Sequence, residues 1–359
     1  MKIKHIIIAL AAIAAAHTAD ACTSMIVSGK VTSDGRPILW KHRDTDASNN
    51  FLYRVDKPGQ IGYVALFNGA DSLCLDDAWT GMNDEGFAIM NTVSYNLPEN
   101  SPEWIDREGA VMALALATCR TVDDFEELLK TLPKPMGVRT NFGVIDASGE
   151  GAYFETDDYN YTRFNLSESP TGVLIRANYS YSGEPDAGMG YIRHDNAAAL
   201  IADALASHSI TPALLTEGLS RAYYNTLTGF DADKCSDRWA VDQDFIPRHS
   251  STASIAIEGI KKGESTDKMI MWANIAYPPC SHVEAVTLKH IPADLLPTTE
   301  NGAYSTAGLE ADKLKAKVFP VKRGSGQRYI DLDAARAISA EQRKLSLEEY
   351  AKAKQLRAK

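Results

Sequence analysis

The sequence predicts an α+β protein whose element order suits two antiparallel sheets packed face to face with helices outside, without excluding other α+β folds. Three observations carry this expectation. Strand-like runs recur as neighbouring pairs joined by turn residues, for example Cys22 to Ser28 with Pro37 to Lys41 around Ser33-Asp34-Gly35. Helical text is confined to separate blocks, so the order is strands, two helices, strands, two helices, strands. With 359 residues, 45% hydrophobic and 23% charged, the chain has the length and composition to bury one large core.

Residues 1–21 read as a secretory signal. Lys2 and Lys4 make the positive start, Ile6 to Ala16 the apolar run, and Ala19-Asp20-Ala21 an A-x-A cleavage site. Cleavage there makes Cys22 the first residue of a secreted or periplasmic chain. A thiol and a free α-amine then share one residue, and the amine can take the thiol's proton without another side chain. An α-amine titrates near ~7.7–8.0 and a cysteine near ~8.5, close to neutral, where a general base works best. The competing readings are an ordinary secreted cysteine or an acylated lipoprotein cysteine. The apolar run ends several residues early for a lipoprotein signal, and Asp20 is awkward beside such a site.

The first hairpin returns Lys41, His42, Arg43 and Asp44 to Cys22. A cation there would lower the thiol's pKa, and a carboxylate could hold the ammonium or orient the amine. A solvated, charged edge strand is the commoner use of such residues. It leaves the apolar Ile38-Leu39-Trp40 unexplained.

Residues 47–75 read as loops with short strand-like runs such as Gly62 to Phe67. Asp77 to Met82 and Phe87 to Val93 flank the turn Asn83-Asp84-Glu85-Gly86. Ser101 and Pro102 then suit the start of a helix through Trp104 to Cys119. Thr121 to Asp124 is a capping box opening a second helix to about Thr131, and Pro133, Pro135 and Gly137 end the block. Asn141 to Asp146 with Ala152 to Thr156 forms another hairpin, and Tyr161 to Phe164 with Gly172 to Arg176 a third strand pair. Arg193-His194-Asp195 opens a helix to about Ala206, and Thr211-Pro212 another to about Tyr224. Thr252 to Ile257 and Lys268 to Ala276 make the last hairpin, closed by Pro278-Pro279-Cys280. Residues 298–359 read as a polar linker and a charged helical tail from about Leu332, solvated or used as an oligomer contact.

The formal charge of −10, without a basic stripe, argues against nucleic acid as a partner, and no apolar run after residue 21 is long enough to span a bilayer. The eight histidines are scattered and C-x-x-C and H-E-x-x-H are absent, so no zinc site is expected, and the expected thiol chemistry requires no metal or organic cofactor. Asp231 to Asp237 resembles a calcium loop but lacks the glycine at its sixth position. If Cys22 stays free, cysteines 74, 119, 235 and 280 remain for disulfides or free thiols.

The Cys22-Thr23 start, the hairpin and the Lys41-His42-Arg43-Asp44 element resemble the cysteine-type N-terminal nucleophile hydrolases. That superfamily includes choloylglycine hydrolases, penicillin V acylases and the acyl-CoA:6-aminopenicillanic acid acyltransferase-like group. Gly81 to Gly86 is similar to the family's Gly-x-Asn-Glu-x-Gly hairpin, and Asn141 to Gly149 with Glu155 to its acyltransferase-like members. The resemblance runs from Cys22 to about residue 290 and implies a four-layer αββα sandwich over residues 22–297. It implies Cys22 as nucleophile, Asp44 as its carboxylate, and a cation from Lys41, where the family usually has arginine, or from Arg43 by a small register shift. It also implies an oxyanion held by the Asn91 N–H and the Asn178 side-chain amide, with Arg193 orienting groups near the nucleophile.

The expected activity is hydrolysis of linear, non-peptide amides through an acyl-thioester, with a small acyl-amide as substrate and a homo-oligomer possible. An acyltransferase using the same thioester, a dipeptidase-type peptidase and a non-catalytic surface binding protein are the alternatives. Specificity is expected from loops 47–60, 94–102 and 180–190, with the aromatics Phe51, Tyr53, Tyr95, Tyr179 and Tyr181.

Overall fold

The computed structural model describes residues 21–70, 72–99, 106–298, 303–322 and 328–357. The expected signal segment lies outside the described residues except for Ala21, as do Ser101, Pro102 and Trp104 of the expected helix start.

Two antiparallel sheets form the centre. The first is built on strands β1 (Ala21–Val27) and β2 (Ile38–Asp44). The second contains β3 (Phe51–Val55), β4 (Tyr63–Phe67), β5 (Thr80–Asn83), β6 (Ala88–Val93), β7 (Thr140–Ile145), β8 (Gly151–Thr156) and β9 (Tyr161–Asn165), in that spatial order. β10 (Val173–Arg176) returns to the first sheet and is joined there by β11 (Ser251–Glu258), β12 (Ile270–Ile275) and β13 (Glu284–Val286). Its order is β10-β1-β2-β11-β12-β13.

Each sheet is covered on both faces. Ile26, Leu39, Ile255 and Ile257 of the first meet Leu52, Val64, Met82 and Met90 of the second in the inner core. The opposite face of the second sheet packs Ile89, Phe142 and Phe154 against α1 (Glu108–Thr118) and α2 (Val122–Thr131). The opposite face of the first packs Met25, Trp40 and Trp272 against α3 (Tyr191–Ala206) and irregular helical turns near Leu215. This is the four-layer αββα arrangement. Double coverage explains why every residue of β1 and β2 is buried, the charged Lys41 to Asp44 included, where a half-solvated sheet would alternate.

Local chemistry sets several boundaries. The capping box forms as expected: Thr121 Oγ1 accepts from the Asp124 N–H, and the Asp124 carboxylate accepts from the Thr121 N–H. At the β5–β6 turn Asn83 Oδ1 accepts from the N–H groups of Glu85 and Phe87, and its Nδ2 donates to the Leu116 and Cys119 carbonyls. One asparagine thus closes the turn and ties it to the end of α1.

Four expectations need correction. β9 and β10 do not pair: β9 joins β8, and β10 crosses to β1, because the chain between them changes sheets. Residues 51–55 form a strand beside the expected one at 63–67, and Phe51 stacks on Phe67 within the outer core, out of reach of a substrate loop. The expected helix from Thr211 is a five-residue π turn followed by a 3-10 turn. The polar linker contains α4 (Thr306–Val318), capped by Ser305, and the tail helix α5 (Leu332–Arg357) is packed along one face. Tyr350 of α5 stacks on Trp272 at 4.2 Å and shares a hydrogen bond with Thr216. All five cysteines are free. Among the described residues, no helix is long and apolar enough to cross a membrane.

Candidate active site

Cys22 is the second residue of β1, directly opposite Arg43 of β2, and 5% exposed. The pairing of β1 with β10 sets Ser24 against Arg176, so the chain leaving β10 brings Asn178 alongside Cys22. Asn178 Oδ1 accepts a hydrogen bond from the Cys22 backbone nitrogen at 2.9 Å. The buried Arg193 guanidinium donates to the same oxygen at 2.7 Å, to Thr23 Oγ1 at 2.9 Å and to the Cys22 carbonyl. Arg193 lies in the first turn of α3. Its approach needs Gly190, whose φ is 82° and where a Cβ would stand 2.3 Å from Arg193 Nη2.

These contacts decide how Asn178 is turned. Two donors, the Cys22 N–H and the Arg193 guanidinium, face it, so the carboxamide presents its oxygen there. Its Nδ2 donates to the Val93 carbonyl at 2.9 Å. The expected oxyanion donor is therefore, in this state, the acceptor that holds the backbone nitrogen of Cys22.

The segment carrying Asn178 is clamped from below by the motif residues of β7 and β8. Asn141 Nδ2 donates to the Ala177 and Tyr179 carbonyls, and its Oδ1 accepts from Ser180 Oγ. Glu155 accepts from the N–H groups of Tyr181 and Ser182 and forms a wholly buried ion pair with Arg176 at 2.7 Å. The Arg176 guanidinium also stacks on Tyr181 at 3.7 Å.

Asp44 ends β2 opposite Ala21. Arg248 donates to its Oδ2 at 2.6 Å, Ser251 Oγ donates to Oδ1 at 2.6 Å, and His42 Nε2 lies 3.5 Å from Oδ1. Burial pushes the Asp44 carboxyl upward, but Arg248, His42 and Arg193 outweigh it and hold it well below the usual carboxylate range. Burial brings the Arg193 guanidinium down to about 10, with the Arg248 charge acting in the same direction. Burial likewise pushes the Cys22 thiol up, and the Asp44 charge adds to this; Lys41, a backbone hydrogen bond from Asp44, and Arg43 oppose it without overcoming it. The expected low-pKa thiol is thus not produced by the side-chain cations alone.

Lys41 and Arg43 project from the same face of β2 and have different partners. Lys41 Nζ donates to the Trp79 carbonyl at 2.8 Å and to Asn91 Oδ1. Arg43 lies over the Trp79 ring, 4.7 Å from its centroid, and donates to Asn50 Oδ1. Asn91 sits inside β6 opposite Phe142, and its Nδ2 donates to Glu108 Oε2.

The fold therefore gathers Cys22, Asp44, Asn178 and Arg193 at one end of the first sheet and joins Asn91 to that group through Lys41. Sequence reading missed Arg248, Ser251 and Glu108. Arg248 and Ser251 lead into β11, which pairs with β2 in a register that sets Ser251 against Asp44. No local motif reveals that pairing. Among the described residues His282, Glu284 and Asp294 form the one candidate metal-binding group, at the edge of the first sheet opposite β10.

No family model matches the chain, and no curated protein matches it in sequence. Among solved structures it is similar to a conjugated bile acid hydrolase from Clostridium perfringens, at 14% identity and TM-score 0.44, over 76% of this chain and 93% of that one. It is similar to a penicillin V acylase from Agrobacterium tumefaciens at 12% identity and TM-score 0.42, over 75% and 87%. The Caenorhabditis elegans ortholog of N-acylethanolamine-hydrolyzing acid amidase aligns at 11% identity and TM-score 0.42, over 66% and 92%.

Proposed function

We propose that this protein is a secreted or periplasmic hydrolase of linear, non-peptide amides that works through an acyl-thioester on Cys22. The observation that carries this reading is the hydrogen bond from the Cys22 nitrogen to Asn178 Oδ1. A buried asparagine and a buried arginine are spent on the main-chain atoms of one cysteine. Such an arrangement has a use when that nitrogen is a free amine.

With residue 21 removed, the α-amine takes the thiol proton and the thiolate attacks the substrate's amide carbon. The collapsing intermediate breaks the C–N bond, and the ammonium returns its proton to the leaving nitrogen. Water then attacks the thioester, giving its proton to the amine as the C–S bond breaks and the acid leaves. Asn178 Oδ1 holds the amine in place through both steps. The oxyanion falls to the Asn91 N–H and to Asn178 Nδ2, which shares the Val93 carbonyl. The sequence-level resemblance to cysteine N-terminal nucleophile hydrolases supports the same chemistry.

The test compares a chain beginning at Cys22, a chain with an uncleavable extension before it, and Cys22→Ala, on a panel of acyl-amide conjugates. In the extended chain the nitrogen is an amide with no usable basicity near neutral pH, so the nucleophile remains but its base is lost. The extended chain should be nearly as inactive as Cys22→Ala. Full activity from an extended chain shown intact by mass spectrometry would place the base elsewhere and end this reading.

A further inference from the structure

Glu108 is a buried carboxyl beside the site that the proposed mechanism does not use. It is the first residue of α1, on the far side of the second sheet from Cys22, yet its Oε2 accepts from Asn91 Nδ2. Asn91 Oδ1 in turn accepts from Lys41 Nζ, which also donates to the Trp79 carbonyl. Three buried side chains from β2, β6 and α1 thus form one chain of hydrogen bonds.

A carboxamide has one accepting end and one donating end. Whatever stands at one end decides which end faces the other neighbour. Turned over, Asn91 would set its NH2 against the Lys41 ammonium and its oxygen against a carboxyl oxygen. We infer that Glu108 is a positioning residue: it fixes the orientation of Asn91, and through Asn91 it holds the Lys41 ammonium where its charge acts on the Cys22 thiol. This inference rests on the reading of Cys22 as the nucleophile.

The groups around Glu108 agree with such a role. Asp106 precedes it, Thr140 of β7 and Asn91 of β6 face it, and Lys41 reaches toward it from β2. Burial, with Asp106 adding to it, pushes the Glu108 carboxyl up to about 8. The ionised carboxylate only accepts, and the neutral carboxyl keeps one accepting oxygen, the role Oε2 has toward Asn91 here. Lys41 projects from the same face of β2 as Arg43, two residues from the position opposite Cys22. Such diagonal neighbours lie about 7–8 Å apart, close enough for an ammonium to favour a thiolate in a buried setting.

The measurement is the pH profile of Cys22 alkylation by iodoacetamide, read at the Cys22 peptide by mass spectrometry on chains beginning at Cys22. Glu108→Leu should raise the apparent thiol pKa by about 0.5 to 1 unit, and Lys41→Met should do the same. The double variant should shift no further than Lys41→Met alone, because Glu108 acts through Lys41. Glu108→Gln, which keeps an accepting oxygen, should restore the parent profile. If Glu108→Leu does not fold, as circular dichroism would show, Asn91→Leu cuts the same link and should give the same shift. Unmoved profiles in the folded variants, or a Glu108→Leu shift that adds in full to that of Lys41→Met, would overturn the inference. Alkylation needs no amide turnover: coupling without amidase activity would defeat only the hydrolase reading, and amidase activity without coupling only this one.

Discussion

Asn178 Oδ1 lies 2.9 Å from the backbone nitrogen of Cys22, although 156 residues separate the two in sequence. The bond exists because β10 leaves the neighbouring hairpin text and pairs with β1, carrying the turn after Arg176 to the cysteine. Glu155 and Asn141 hold that turn, and Arg193 shares the Asn178 oxygen. Cys22 is therefore held through its main-chain atoms.

Asn178→Ala removes both the acceptor for the Cys22 nitrogen and the proposed donor to the oxyanion. Turnover of an acyl-amide by the mature chain should fall about 100- to 1000-fold. Asn178→Asp keeps the acceptor and loses the donor, so it separates the two roles. Unchanged turnover in Asn178→Ala would remove this residue from the mechanism.

Arg248→Met leaves the buried Asp44 carboxylate without its strongest partner. At neutral pH the variant should lose about 3 kcal/mol of stability, measured by urea denaturation. The sign with pH follows from the depressed folded-state pKa of Asp44. Its pairing stabilises the fold fully above the unfolded carboxylate value near ~3.9 and less as pH falls below it. The gap between parent and variant should therefore narrow below about pH 4. A gap independent of pH would mean that Arg248 acts through packing alone.

Tyr350→Ala removes a ring stacked on Trp272 and the hydroxyl bonded to Thr216. Truncation of a buried aromatic of this size costs about 3–5 kcal/mol. A denaturant titration showing less than about 0.5 kcal/mol would mean that α5 is solvated, as its charged sequence alone suggests.

Much of the local structure was legible. The Thr121 capping box, the Asn83 to Gly86 turn and the first hairpin are decided by residues within a few positions of one another, whose backbone bonds close locally. So was the meeting of Asp44 with the start of β1, since one hairpin brings them together. The role of α5 was not legible, because its few buried positions, Ala335, Tyr350 and Ala353 among them, are scattered through a charged helix. The same limit applied to Phe51, an aromatic that reads equally well as a loop or a core residue.

By itself the sequence determined the first hairpin, the β5–β6 turn and the capped start of α2, with the thiol at the head of β1 and the charged end of β2 that faces it. Those depend on short-range geometry, in which the chain's own connectivity does the bringing together. Only the tertiary structure decided that Arg248 and Ser251 complete Asp44, that Asn178 offers its oxygen to Cys22, and that Lys41 is joined to Glu108 through Asn91. Each of these depends on which strands become neighbours and on the balance of donors and acceptors after water has been excluded. A buried amide turns to satisfy all the groups around it, and those groups come from strands and helices far apart in the chain.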